Sequence, residues 1–239
     1  MMETKRKLIL EVCANGLDSS LNAQRAGVDR IELCDFLEAG GITPHSDVVS
    51  VVKERIVIPV YVLIRPRPGN FIYSKEEFRK MQKEIDMCLK LKVEGIVLGI
   101  LNSEGNVDID RCAELVNIVK PLPLTFHRAF DKVKNPLVAL EEIIELGFGR
   151  ILTSGQKAYC LEGSEMISQL IAQANGRISI MAGAGITEDN IAEVVRRSNA
   201  NEFHFSAKVK PPNENYISDL NRIRKIKEIA EQTFYHTNA

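Results

Sequence analysis

Two matching tripeptides, Glu11-Val12-Cys13 and Glu32-Leu33-Cys34, each close a short apolar run, and each precedes polar loop sequence containing glycine. Side chains alternate across a strand, so in each tripeptide the glutamate and the cysteine share one face while Val12 and Leu33 take the other. Two such strands side by side would gather two carboxylates and two thiols. The carboxylates suit proton transfer, and a two-thiolate site suits soft Cu(I). Apolar strand interiors rarely hold ionisable groups without a role, which makes this cluster the first candidate site.

Further chemistry-bearing residues stand where other apolar runs end. In Ile64-Arg65-Pro66-Arg67-Pro68-Gly69, the prolines favour an extended backbone that sets Arg65 and Arg67 on one side, two forked cations suited to a carboxylate or phosphate. In Thr125-Phe126-His127-Arg128-Ala129-Phe130-Asp131, His127 is a candidate acid or base, Asp131 its candidate orienting carboxylate and Arg128 a further anion ligand. The turn Gly183-Ala184-Gly185-Ile186-Thr187 is expected to lead directly into a helix whose first amides attract an anion, with Ser154, Gly155 and Ser206 as added donors. His204 lies between two aromatic residues expected to face outward, which turns it inward with Glu202 and Ser206.

A structural reading competes with each of these. Glu11 and Glu32 would then be neutralised by Arg65 or Arg128, the glycines would serve turns only, and the thiols would pack as small apolar groups. Zinc would call for four ligands at closer spacing, and no Cys-x-x-Cys or His-x-x-x-His occurs. Cys160 is a candidate third thiol, whereas Cys88 and Cys112 fall on helical patterns and read as packing.

Eight short runs rich in aliphatic and aromatic residues must position these groups: residues 8–12, 30–33, 60–64, 95–98, 124–126, 150–152, 178–181 and 202–205. Amphipathic helical patterns follow each at 17–26, 47–54, 75–91, 108–119, 136–146, 163–174, 188–196 and 216–232. Regular alternation implies parallel strands with right-handed crossovers, and eight units without a composition break favour a closed (β/α)8 TIM barrel. An open doubly wound sheet is the alternative, but no Gly-x-Gly-x-x-Gly follows the first strand. A single α/β domain over 1–239 is expected, its barrel core at about 8–206 and a final helix at about 216–232. Chemistry is expected where strands run into helices, and apolar turn punctuation such as Pro59, Pro121 and Pro123 at the opposite rim.

The chain has 239 residues, 45% hydrophobic and 26% charged, with no tryptophan, which fits a globular protein with a substantial core and excludes disorder. A net charge of −1 gives no general attraction for nucleic acid or an anionic membrane. No apolar run approaches the ~20 residues that span a bilayer, and five scattered cysteines make no disulfide framework, so reduced thiols in the cytoplasm are expected.

Glu11-Val-Cys13, Gly27-Val-Asp-Arg-Ile-Glu-Leu-Cys34, Gly40-Gly-Ile-Thr-Pro44, Ile64-Arg-Pro-Arg67, Thr125-Phe-His-Arg-Ala-Phe-Asp131, Arg150-Ile-Leu-Thr-Ser-Gly155, Ile180-Met-Ala-Gly-Ala-Gly185 and Glu202-Phe-His204 together resemble the CutC copper-homeostasis family. The resemblance runs from about Leu8 to Ser206. It implies a cytoplasmic, commonly oligomeric (β/α)8 barrel associated with copper tolerance or trafficking, with Cu(I) thiolates at Cys13 and Cys34. It names no reaction. Two functions therefore stand side by side: copper binding by the rim thiols, or an isomerase, lyase or related proton-transfer enzyme acting on a small phosphorylated or carboxylated metabolite. For the enzyme, Glu11, Glu32 or His127 would move protons. No organic cofactor is evident.

Overall fold

The computed structural model describes residues 6–212 and 215–237. Its eight parallel strands are β1 (Ile9–Ala14), β2 (Arg30–Leu33), β3 (Val60–Leu63), β4 (Gly95–Leu98), β5 (Leu124–Phe126), β6 (Arg150–Thr153), β7 (Ser179–Gly183) and β8 (Glu202–Phe205). They close into a barrel in sequence order, β8 pairing with β1. Helices α1 (Leu17–Ala26), α2 (Ser46–Arg55), α3 (Lys75–Lys90), α4 (Ile109–Val119), α5 (Pro136–Leu146), α6 (Ser164–Ala174), α7 (Ile191–Ser198) and α8 (Leu220–Thr237) follow the strands in alternation. The expected TIM barrel is the fold.

Local chemistry fixes the helix ends. Ser74 and Glu77 form a reciprocal capping box at the start of α3, Pro136 sits in the first turn of α5 behind Asn135, and Gly147 ends α5 in the left-handed region. The outward strand residues, among them Val12, Ile31, Ile96, Phe126 and Phe203, pack against the apolar faces of the helices as the main core. Cys88, Cys112 and Cys160 belong to this layer. The third-thiol role suggested for Cys160 is corrected: its thiol is buried in this core, and the grouping of potential metal ligands among the described residues is Cys13, Glu32 and His204 without it.

Two helix starts shift by three residues or more from the sequence expectation. The last helix starts at Leu220 rather than Tyr216: β9 (Lys208–Val209) and β10 (Ile217–Ser218) pair as a small antiparallel ribbon, and Asp219 caps α8 through the Arg222 amide. Helix α7 starts at Ile191, after a turn in which Thr187 N donates to Asn190 Oδ1 and Asn190 Nδ2 donates to Gly185 O. The glycine turn therefore does not open onto helix amides.

Candidate functional site

Barrel register brings the inward side chains together. Cys13 lies opposite Glu32 on β2, and Glu11 lies opposite both Arg30 on β2 and His204 on β8. Just beyond β2, Cys34 N donates to Ala14 O, and Cys34 Sγ comes 3.4 Å from Cys13 Sγ. The two thiols and Glu32 share one end of the barrel, whereas Glu11, expected at the same rim, lies one layer deeper, fully buried and off the cavity lining. Potential ligand atoms of Cys13, Glu32 and His204 all lie within 4.8 Å of one another.

Beneath them lies an ion-pair layer. Arg30 bonds Glu11 and, at 2.6 Å, Glu202; Arg150 bonds Glu202 at 2.5 Å; and the Tyr61 ring lies 5.4 Å from one guanidinium and 5.6 Å from the other. Gly95 leaves the space for that ring, since a Cβ there would fall 2.6 Å from it. The expectation that Arg65 or Arg128 neutralises Glu11 and Glu32 is thus corrected, as is the apolar character expected of the opposite rim. Arg30 and Arg150 begin their strands and turn inward. The sequence carried this signal: Arg30 stands two residues before Glu32, on the same strand face.

Charge states follow from this packing. Burial disfavours ionised Glu11, but the Arg30 guanidinium and the His204 ring overcome it and hold the carboxyl well below the usual carboxylate range. Burial likewise disfavours charged His204, yet Glu32, Cys13 and Glu11 hold it well above its usual value; it is an imidazolium whose Nδ1 donates to Glu11 Oε1 at 2.7 Å. Glu32 is pushed up to about 7 by burial, with the Glu11 charge adding to the effect, and its Oε2 has no hydrogen-bond partner. The Cys13 thiol is raised well above its usual value by its contact with Cys34, by burial and by Glu32. Glu32 is the carboxyl here that exchanges a proton near neutrality.

The thiol cluster forms one side of a cavity of about 610 Å³. Arg65 and His127 line the same cavity. Arg65 donates to the carbonyls of Ala39, Gly40, Gly41 and Gly69, and its guanidinium stacks 5.0 Å from the Phe71 ring centre. His127 packs 4.9 Å from the same ring, accepts the Ala129 amide on Nδ1, and is pushed down to about 3 by burial and by the Arg65 charge. It is therefore neutral, with its proton on Nε2, and that atom is buried without a partner.

Other expected members separate from this group. Arg67 turns out to Glu77 and to the Asn70 and Ile72 carbonyls, stacking on Tyr73, because the loop folds back at Gly69; it makes no clamp with Arg65. Asp131 does not orient His127: it accepts from Thr153 Oγ1, the Ser154 and Gln156 amides, Ser154 Oγ and Arg128 Nε. Ser154 and Arg128 are spent on that carboxylate. Gly155 is a close-packing position, where a Cβ would fall 2.2 Å from the Gly163 carbonyl oxygen. Gly183 packs against Leu152 and His204, while Gly185 and Ser206 line the cavity. The thiol cluster, Arg65 and His127 share one end of the barrel.

Comparison with known proteins bears on family and fold. The sequence profile of the CutC family matches residues 8–209. The human copper homeostasis protein cutC homolog is 47% identical over 200 residues, covering 84% of this chain and 73% of that protein. A CutC family protein of Xylella fastidiosa (strain Temecula1) is 46% identical over 199 residues, covering 83% and 74%. The crystal structure of a CutC protein from Streptococcus agalactiae superposes with a TM-score of 0.79 at 33% identity, covering 83% of this chain and 98% of that one. Phosphoribosylanthranilate isomerase of Pyrococcus furiosus, at 13% identity and a TM-score of 0.61 over 94% of this chain and 99% of its own, shares the barrel alone. The chain belongs to the CutC family.

Proposed function

We propose that this protein binds Cu(I) through Cys13 and Cys34 at the C-terminal end of its barrel and serves copper homeostasis as a carrier or buffer in a reducing cytoplasm. The observation that carries this reading is the 3.4 Å separation of the two sulfurs, close enough for both to reach one ion at a metal–sulfur distance of ~2.3 Å. Thiolates are the ligands that select Cu(I) among cellular cations. Binding exchanges two thiol protons for one monovalent ion, leaving a net negative unit in a buried place. His204, held as an imidazolium by Glu11, supplies the opposing charge, and Glu32 accepts a released proton. Copper is cargo in this reading, and family membership with proteins named for copper homeostasis supports it.

Anaerobic Cu(I) titration against a chromogenic chelator tests the assignment. Wild type should withhold one ion per chain, and the Cys13→Ala/Cys34→Ala double variant should withhold none. Equal retention by both would reject the thiolate site.

A further inference from the structure

The cavity is far larger than a copper ion requires. A water molecule occupies ~30 Å³ of liquid, so about 610 Å³ corresponds to a space for a small organic molecule, within the usual range of ligand pockets. Its lining carries two kinds of group. Beside the thiols, Glu32 Oε2 is a buried acceptor that makes no hydrogen bond and lies 3.9 Å from His204 Nδ1. Elsewhere on the lining, Arg65 and His127 flank one Phe71 ring.

Arg65 is 7% exposed, and among the described residues its bonds go to main-chain carbonyls and to no carboxylate. The other cations of the wall are spent or exposed: Arg128 pairs with Asp131, Arg222 with Glu188, and Lys208 stands exposed over the Tyr216 ring. His127 is 4% exposed, and its Nε2–H is a buried donor with nothing to bond. Native proteins rarely leave such a donor idle beside an unneutralised guanidinium. The wall accordingly offers one buried positive charge and two idle directional donors, Arg65 Nε–H and His127 Nε2–H, matching the two oxygens of a carboxylate monoanion. A phosphate dianion would call for more positive charge.

We propose that the wall formed by Arg65, Phe71 and His127 binds the carboxylate of a small hydroxy acid, whose hydroxyl reaches Glu32 Oε2 beside the thiols. The carboxylate accepts the His127 Nε2–H and sits in the field of Arg65, and the hydroxyl donates to Glu32. The Arg65 and His127 subsite contains none of the copper thiols, and Glu32 is the one group it shares with the copper reading.

The test uses copper-free, reduced full-length protein titrated with glycerate and gluconate, with glycerol and glycerol 3-phosphate as controls. Binding is followed by calorimetry and by the His127 imidazole nitrogen resonances of the wild type, which report engagement of Nε2 without any substitution. A hydroxy acid should shift the Nε2 resonance, and its affinity should fall by about tenfold or more in His127→Phe and stay within about twofold in His127→Gln, whose amide keeps a donor. The Cys13→Ser/Cys34→Ser variant should bind the acid as wild type does, which separates this proposal from the copper assignment. Absence of any Nε2 shift with both acids would overturn the proposal. So would unchanged affinity in a folded His127→Phe variant, or binding of glycerol 3-phosphate in place of the carboxylates.

Discussion

The seam that closes the barrel sets Glu11 of β1 opposite His204 of β8, and His204 Nδ1 donates to Glu11 Oε1 across it at 2.7 Å. Burial keeps the nearby carboxyl of Glu32 from ionising cheaply and the Glu11 charge adds to this, while the His204 imidazolium opposes it without overcoming it, so Glu32 is the group that responds to pH.

Stability should therefore carry a signature of Glu32. Its folded pKa is raised from 4.5 to about 7, so the folded state binds the proton more tightly than the unfolded state does. The stability linked to that proton is complete below about 4.5 and is lost as pH rises toward 7. Glu32→Gln removes this dependence. Relative to wild type, the variant should gain about 1–3 kcal/mol between pH 4.5 and pH 8 in urea denaturation. Parallel pH profiles would contradict the assignment.

Copper affinity should rise steeply with pH. Cys13 is held protonated by Cys34, by burial and by Glu32, so each bound ion must release its ligand protons. Both thiol protons leave the protein where Glu32 is already protonated and only one where Glu32 is ionised to take up the other, so the apparent affinity should rise by up to about a hundredfold per pH unit below neutrality and about tenfold above it. Chelator competition between pH 6 and pH 8 measures the slope, and a flat profile would exclude a site in which Cys13 must lose a proton to bind.

Gly41 should matter to copper without being a ligand. A Cβ there would fall 2.8 Å from Leu63 Cδ2 and 3.3 Å from Cys34 Cβ, and the backbone sits at φ +83. Gly41→Ala should cost about 1–3 kcal/mol of stability and weaken Cu(I) binding about tenfold by displacing the thiol. Gly147→Ala, at φ +90 with open space around it, is the control: a backbone cost of about 1 kcal/mol with copper affinity unchanged.

Asp131 should prove structural. Asp131→Asn turns an amide toward the donors of Thr153, Ser154 and Gln156 and leaves Arg128 unpaired, which should cost about 2–4 kcal/mol. The His127 imidazole resonances and Cu(I) affinity should stay as in wild type. A shift of the His127 tautomer would instead restore the orienting role that sequence spacing suggested.

Alternation of strand and helix patterns carried the barrel, because period-two and period-3.6 patterns depend only on neighbours in the chain. The thiol pair was legible for the same reason, since strands β1 and β2 repeat one Glu-x-Cys pattern and lie side by side. Counter-charges were not. Whether Glu11 meets Arg30 or Arg65 depends on barrel register, which a single sequence does not display. Arg67 likewise looked equivalent to Arg65 until the chain reversal at Gly69 sent it toward Glu77. The Gly183 to Thr187 turn misled because Asn190, three residues further on, absorbs the Thr187 amide and delays α7.

Both sulfurs, Glu11 and Glu32 come from the first 34 residues, whereas His204 arrives with the last strand. During synthesis the emerging chain therefore presents its two thiols some 170 residues before the imidazolium that balances them, a separation of 204 − 34 positions in the sequence. Metal captured on the ribosome would meet an unfinished site, and the complete electrostatic setting exists only once the two ends of the chain have met.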